Sequence, residues 1–381
     1  MARIIMIGPG HPLRGGLSTF NQRLAKEFIH EGHECSIYSF SLQYPSILFP
    51  GKTQYSDESP PENLRIESAI NSINPLNWIK VGNSLKRERP DIIFVRFWLP
   101  FMGPALGTIL RRIKTNNHTK IICIADNIIP HEKRPGDKPF TNYFIKSCDA
   151  FIVMSETVLK DLRSFEKNKP AQLVPHPLFD NFGELITKTE ARKHLGIPVN
   201  EKVILFFGFI RKYKGLDILL EAMQILKNKF PHSAATGVKL MVAGEFYEDE
   251  KNYRELIAQM DLAGDLYLHT SFITDSEVKY YLGAADVIVQ PYRNATQSGV
   301  TPLAYHFEKP TIVTNVGGLP AMVVDNKTGL ITEPDAEHIA STIAAFYELG
   351  ENYFIPHLRL EKQKYSWHNM VRAVLQLAEE V

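Results

Sequence analysis

The residues best equipped for chemistry sit in one turn. In Gly208-Phe209-Ile210-Arg211-Lys212-Tyr213-Lys214-Gly215, directly after the apolar run 203–207, Arg211 and Lys214 stand three apart between two glycines. At a strand-to-helix turn this spacing lets both cations converge on one diphosphate; a basic turn facing water is the competing reading. A second turn, 292–302, follows the apolar run 287–290 and carries Asn294, Thr296, Gln297, Ser298, Gly299, Val300 and Thr301 ahead of a helical pattern. Small hydrogen-bonding groups and backbone N–H groups at a helix start suit a phosphate, or simply cap the helix. In a third place, Gly15 and Gly16 precede a helical pattern beginning near Leu17, so that backbone N–H groups can approach an anion; a flexible loop with a Ser/Thr cap is the alternative.

Two anion-friendly loops in one half of the chain point to a nucleoside diphosphate. Neither matches G-x-x-x-x-G-K-[ST], which disfavours an ATPase P-loop. The early Gly8-Pro9-Gly10-His11-Pro12-Leu13 lacks the third glycine of a dinucleotide fingerprint, and Pro12 interrupts the turn into the helix.

The elements that must hold these turns alternate along the chain. Short β-branched and aromatic runs at 3–7, 35–40, 91–96, 120–124 and 150–154 are separated by helical or loop stretches, and the design restarts with 203–207, 239–243, 266–268, 287–290 and 311–314. Strands bounded by helices imply parallel sheets with right-handed crossovers, here in two blocks, so the predicted fold is α/β with two tandem Rossmann-like domains. The boundary is expected in the proline-punctuated stretch 175–198, with a short helix around 190–195. Domains of 1–178 and 195–364 follow, with an amphipathic helix over 365–381 packing back on the first. Segments 43–61 and 131–141 read as loops.

Length and composition agree with two ordinary globular domains. There are 381 residues, 44% hydrophobic and 22% charged, with 43 basic against 42 acidic side chains. That balance excludes a diffuse nucleic-acid-binding surface and intrinsic disorder. Cys35, Cys123 and Cys148 form no C-x-x-C pair and read as buried thiols of a reducing cytoplasm. The start MARIIMIGPGHP has too short an apolar run for a signal peptide, and no stretch reaches the roughly 18 apolar residues of a membrane span. The expected location is cytoplasmic.

Taken in order, Gly15-Gly16, 207–216 (Phe-Gly-Phe-Ile-Arg-Lys-Tyr-Lys-Gly-Leu), 285–292 (Ala-Asp-Val-Ile-Val-Gln-Pro-Tyr), Lys309-Pro310 with Val313-Thr314, and Gly317-Gly318-Leu319-Pro320 make the chain resemble the GT-B glycosyltransferases of family 4 over nearly its whole length. The resemblance implies two domains facing a central cleft. It implies that Arg211 and Lys214 neutralise the diphosphate of a nucleotide sugar, UDP- or GDP-linked, with Gly15 and Gly16 closing on it. It further implies phosphate contacts from the peptide groups around Ser298, Gly299, Val300 and Thr301, and a nucleobase loop at Phe272-Ile273-Thr274. Such enzymes work without a metal or other cofactor, basic residues and a helix dipole replacing the cation.

Two departures stand out. Where the family has Glu-x7-Glu, this chain has Thr296 and Ala304, and the histidine facing the donor sugar is replaced by Asp126, leaving His131 nearby as a substitute base or acceptor contact. Asn294 and Gln297 are candidates to hold ribose and sugar instead. Trp98, just after a strand, either stacks on a sugar or packs in the core. Basic residues at 86–89 and 111–114 either meet an anionic lipid-linked acceptor at the inner membrane face or are solvated. The expected function is transfer of a sugar, with retention, to a hydroxyl of a glycan or lipid-linked acceptor in cell-surface polysaccharide or glycoconjugate synthesis. The alternatives are a catalytically degenerate sugar-nucleotide-binding or scaffolding protein and a nucleotide-sugar 2-epimerase.

Overall fold

Runs of β-branched and aromatic residues form short strands, and each helix or loop between them returns the chain to the same end of its sheet, so that every named strand pair is parallel. The computed structural model describes residues 1–45, 53–130, 134–296 and 298–381. They fold as two units, one of Met1–Pro177 with Ser366–Val381 and one of Leu178–Tyr365.

The first unit runs β1 (Arg3–Ile7), α1 (Gly16–His30), β2 (Glu34–Leu42), β3 (Arg65–Asn71), α2 (Pro75–Glu88), β4 (Ile92–Phe97), α3 (Gly103–Lys114), β5 (Lys120–Ala125), α4 (Asp137–Ile145), β6 (Ala150–Val153), α5 (Glu156–Phe165) and β7 (Ala171–Leu173). Its sheet order is β3-β2-β1-β4-β5-β6-β7. Every residue of the central strand β4 is buried, as a sheet covered on both faces requires. Helix α1 turns Phe20, Leu24 and Phe28 into this core.

The second unit runs α6 (Lys188–Leu195), β8 (Val203–Phe207), α7 (Leu216–Lys229), β9 (Lys239–Ala243), α8 (Glu250–Gln259), β10 (Leu266–His269), α9 (Val278–Ala284), β11 (Val287–Gln290), α10 (Val300–His306), β12 (Thr311–Thr314), β13 (Gly329–Thr332), α11 (Ala336–Leu349) and α12 (Glu351–Glu361). Its sheet order is β10-β9-β8-β11-β12-β13. The chain ends in α13 (Trp367–Glu380), capped by Ser366, which lies on α1, β5 and β6 and buries Trp367, Met370, Val371, Val374 and Leu377 in the first unit.

Several sequence expectations are corrected. The sheets gain β3, β7 and β13, three short strands at or beside the sheet edges. Segment 131–141 is not all loop, because α4 begins at Asp137. Within 43–61, residues 54–56 pair with the loop after β1: the Arg14 amide donates to the Gln54 carbonyl, Ser56 N to the Pro12 carbonyl, and Leu13 bridges Tyr55. Residues 46–52 of that segment lie outside the described residues.

Residues 179–194, left between the predicted domains, belong to the second unit. Helix α6 is tied there by a buried hub on Asp286. Its Oδ1 accepts from Lys188 Nζ at 2.6 Å and Arg192 at 3.0 Å, and its Oδ2 from the Val203 amide at 2.8 Å and the Tyr347 hydroxyl at 3.0 Å. Among the described residues no helix is long and apolar enough to cross a membrane.

Candidate functional site

Each sheet reverses its strand order once, at β1/β4 in the first unit and at β8/β11 in the second. Loops leaving the carboxyl ends of the two strands diverge at such a point, and open α/β sheets bind ligands there. Both loops that the sequence singles out in the second unit, after β8 and after β11, leave the strands that flank its reversal.

The β8 loop is shaped by two glycines. Gly208 adopts φ 98°, and a Cβ there would stand 3.0 Å from Lys214 Nζ, so the absent side chain makes room for the ammonium. Gly215 adopts φ 70°, and a Cβ would come within 2.0 Å of the Pro291 carbonyl oxygen, so only glycine lets the β8 and β11 loops touch backbone to backbone. Between them Lys214 is half-buried. Burial, and then the Arg211 charge, push its ammonium down to about 8. Its Nζ lies 5.6 Å from the Tyr292 ring centre. An ammonium so disfavoured is poised to gain from an incoming anion.

Arg211 continues into an aromatic row. Its guanidinium lies 5.1 Å over Tyr247, which meets Phe209 at 4.2 Å, and Phe209 faces Phe272 at 6.3 Å. These rings come from the loops after β8, β9 and β10, and Ile273 follows directly, half-buried. Cation and flat apolar faces in sequence are the chemistry that takes a phosphate at one end and a planar ring at the other.

The β11 loop presents Asn294 exposed and Thr296 buried. Ser298 Oγ accepts from the Val300 amide at 3.2 Å, capping the first residue of α10 beside Gly299. Thr301 is buried and its hydroxyl accepts from Gln290 Nε2 at 2.9 Å, leaving Gln290 Oε1 buried without a partner. Ala304 is fully enclosed inside α10, so the second carboxylate position is packed with core rather than open. Gln297 lies outside the described residues.

In the first unit Gly15 caps α1 with φ 98°, and the helix start has no side-chain cap; Thr19 instead donates to the Gly15 carbonyl. A Cβ on Gly16 would meet nothing within 4 Å, so packing does not demand this glycine. Asp126 is held by a neighbour that the sequence does not reveal. Arg96 grips both its oxygens, Nε to Oδ2 at 2.6 Å and Nη2 to Oδ1 at 2.7 Å, and both side chains are buried. A carboxylate held in this way anchors the guanidinium in one orientation. Arg96 also lies 4.0 Å over Phe20 and reaches Asn21 Oδ1 at 3.3 Å, while Asn21 Nδ2 donates to the Pro9 carbonyl, tying the loop after β1 to β4 and β5. His176 packs edge-on against Phe20 at 5.1 Å, and burial, with the Arg96 charge, lowers it to about 3. His131 lies outside the described residues.

Trp98 is a core residue: it is buried, meets Phe40 edge-on at 5.9 Å and donates to the Tyr44 hydroxyl at 2.7 Å. Much of the basic surface at 111–114 is engaged within the unit, Arg111 lying 3.7 Å over Tyr143 and Lys114 pairing with Asp149. Among the described residues no group of three or more His, Cys, Asp or Glu could hold a metal ion. Sequence reasoning missed the Arg96–Asp126 pair, the aromatic row and the pairing of Arg293 with Asp217. The one available signal was an aromatic residue shortly after each of three strands.

Two Rossmann-ordered parallel sheets, with a cation-bearing loop at the switch point of the second, define a two-domain α/β protein. Residues 187–365 match the family described as Glycosyl transferases group 1, and residues 14–178 that described as Glycosyltransferase Family 4. The chain belongs to the GT-B glycosyltransferases of family 4 and is a glycosyltransferase. It is 28% identical over 359 residues to the D-inositol 3-phosphate glycosyltransferase of Corynebacterium diphtheriae, covering 85% of this chain and 79% of that protein. To the Streptomyces avermitilis protein of the same name it is 27% identical over 346 residues, covering 85% and 74%. Among solved structures, Anabaena HepE in complex with UDP and glucose superposes with a TM-score of 0.76 at 14% identity, covering 100% of both chains. Sucrose-phosphate synthase from Thermosynechococcus elongatus superposes with a TM-score of 0.74 at 16% identity, covering 99% of this chain and 98% of that one.

Proposed function

We propose that this chain transfers a sugar from a nucleoside-diphosphate sugar, UDP- or GDP-linked, to a hydroxyl of a glycan or lipid-linked acceptor, with retention, in cell-surface polysaccharide or glycoconjugate synthesis. The observation that carries the reading is Lys214: an ammonium held at about 8 beside Arg211, at the switch point of the second sheet. In this reading Arg211 and Lys214 hold the diphosphate and stabilise it as it leaves, in place of a metal ion. The row Tyr247, Phe209 and Phe272, with Ile273, takes the nucleoside. In the same reading Asn294, Thr296, Gln297 and the peptide groups of Ser298, Gly299, Val300 and Thr301 are the sugar and phosphate contacts, with Gly15 and Gly16 as further anion contacts. His131 is the base or acceptor contact, and Asp126 serves as the anchor of Arg96. The UDP-glucose complex of HepE supports a UDP-sugar donor.

Residues 1–178 and 195–364 act, in this proposal, as acceptor-side and donor domains. We place the enzyme in the cytoplasm, with a peripheral contact to an anionic membrane face. Leu76, Lys80 and Arg87 lie along one side of α2 at helical spacing, all exposed, with Leu76 78% exposed and Ile73 just ahead of the helix. Flotation with vesicles containing anionic lipid, lost on Leu76→Glu, tests that contact.

The test of the whole is calorimetric titration with UDP-, GDP-, ADP- and dTDP-sugars while free nucleotide is followed, with D-inositol 3-phosphate among the acceptors tried. Binding of one donor with nucleotide release is expected. Binding without release for every acceptor would favour the degenerate reading, which the enclosed Ala304 supports. Binding of no donor would overturn the proposal.

A further inference from the structure

The backbone of the β8 loop is held by a residue outside that loop. Arg293, in the β11 loop, donates Nη1 to Asp217 Oδ1 at 2.6 Å and Nη2 to Asp217 Oδ2 at 2.8 Å, a two-pronged pair with the first turn of α7. The same Nη1 reaches the Lys212 carbonyl at 3.0 Å, and the Arg293 amide donates to the Tyr213 carbonyl at 2.7 Å. Arg293 thus grips the residues on both sides of Lys214's turn. Around it, Gly215 abuts the Pro291 carbonyl and Tyr213 meets Tyr292 edge-on at 6.0 Å. The guanidinium is spent on protein partners, so it acts through its neighbours.

We infer that Arg293, clamped on Asp217, is a positioning residue for donor binding: it locks the β8 and β11 loops together so that Arg211 and Lys214 face the diphosphate in one fixed arrangement. The inference rests on the donor reading above. Fork-shaped pairing fixes direction as well as distance, which a lysine cannot reproduce. Preorganised cations bind an anion without the entropy of ordering their loop. Free of the clamp, the loop exposes Lys214 to water, and its ammonium returns toward the ordinary 10.5. The charged and titratable neighbours on the packed elements are Arg211, Lys212 and Tyr213 on the same loop, Tyr292 across from it, the Asp217–Arg293 pair itself, and Glu221 and Tyr253 beside that pair.

The experiment measures UDP and GDP binding from pH 7 to 9.5 for the wild-type chain and for Arg293→Ala, Arg293→Lys, Asp217→Asn, the Arg293→Ala/Asp217→Asn double variant and Arg211→Ala/Lys214→Ala. Melting temperatures are recorded for each, and Arg359→Ala, which breaks the exposed pair with Glu308, is the control. Arg293→Ala should weaken binding by about tenfold at pH 7.5 and move the alkaline midpoint up by a unit or more. Asp217→Asn should do the same, the double variant should be no worse than either single change, and Arg293→Lys should recover part of the affinity. A fall in melting temperature without these changes would show a merely structural pair and overturn the inference, as would additive losses. If Arg211→Ala/Lys214→Ala binds as the wild type does, the donor reading fails and the inference falls with it. If that variant alone loses binding, the reading stands and only the role of Arg293 is refuted.

Discussion

The Lys214 ammonium sits at about 8 against an ordinary 10.5, because burial and the Arg211 charge both disfavour it; the charged form is penalised by about 3 kcal/mol. A diphosphate within hydrogen-bond reach supplies the missing counter-charge and restores the ammonium. Binding above pH 8 therefore takes up a proton, and below it takes up almost none. Affinity for UDP should be nearly level around pH 7 and fall by up to tenfold for each unit above 8. The neighbouring Tyr292 phenol, pushed up by burial, stays neutral throughout this window. Lys214→Met removes one charge-assisted contact, costing about 1.5–3 kcal/mol or roughly ten- to hundredfold in affinity, and should flatten the profile. Lys214→Arg, always charged, should flatten it too while keeping part of the affinity. Titration calorimetry in buffers of different ionisation heat counts the proton directly, near zero at pH 7 and approaching one at pH 9. Folding responds with the opposite sense: the unfolded chain holds this proton up to 10.5 and the folded one only to 8, so this lysine adds stability as pH rises between those values. A profile that stays level from pH 7 to 9.5 in the wild type, or an alkaline fall that persists in Lys214→Met, would refute the reasoning.

Three further outcomes follow from the packing. Asp286→Asn cannot serve two cations, an amide and a hydroxyl at once; it should destabilise the chain by about 3–5 kcal/mol, read as a lower urea midpoint at unchanged slope. Gly215→Ala drives a methyl into the Pro291 carbonyl and demands positive φ of alanine; it should cost at least about 1–2 kcal/mol and weaken UDP binding, and an unaffected variant would show that the two loops do not touch. His176 holds its proton only below about 3 when folded but near 6.5 when unfolded, so its contribution is present above 6.5 and is lost at about 1.4 kcal/mol per unit as pH falls toward 3; His176→Phe should be less acid-sensitive than the wild type when urea midpoints are compared from pH 6.5 to 4.

The long β-branched runs were legible because a buried parallel strand has no polar face to disguise it: 203–207 and 287–290 coincide with β8 and β11. The edge was not. β3 reads Arg-Ile-Glu-Ser-Ala-Ile-Asn, polar because one side of it meets water, and β7 spans three residues, too few for any periodicity. The cations of the site announced themselves through the glycines around them. Their support did not, since Arg293 and Asp217 lie 76 residues apart and Arg96 and Asp126 lie 30 apart. Pairings between distant loops leave no local pattern, so nothing around Asp126 in the sequence points to Arg96 as its partner.

The closing helix α13 gives the molecule an order of completion. Its Trp367 meets Phe20 at 4.9 Å and lies beneath Arg23 at 5.0 Å, so a residue from the end of the chain fills the core begun at the start. In chain terms the second unit is an insertion within the first. On the ribosome the second can finish while the first still waits for α13, its apolar surface over β5 and β6 uncovered until that helix emerges. A chain interrupted just before Trp367 therefore leaves a gap in the core of the half that was translated first.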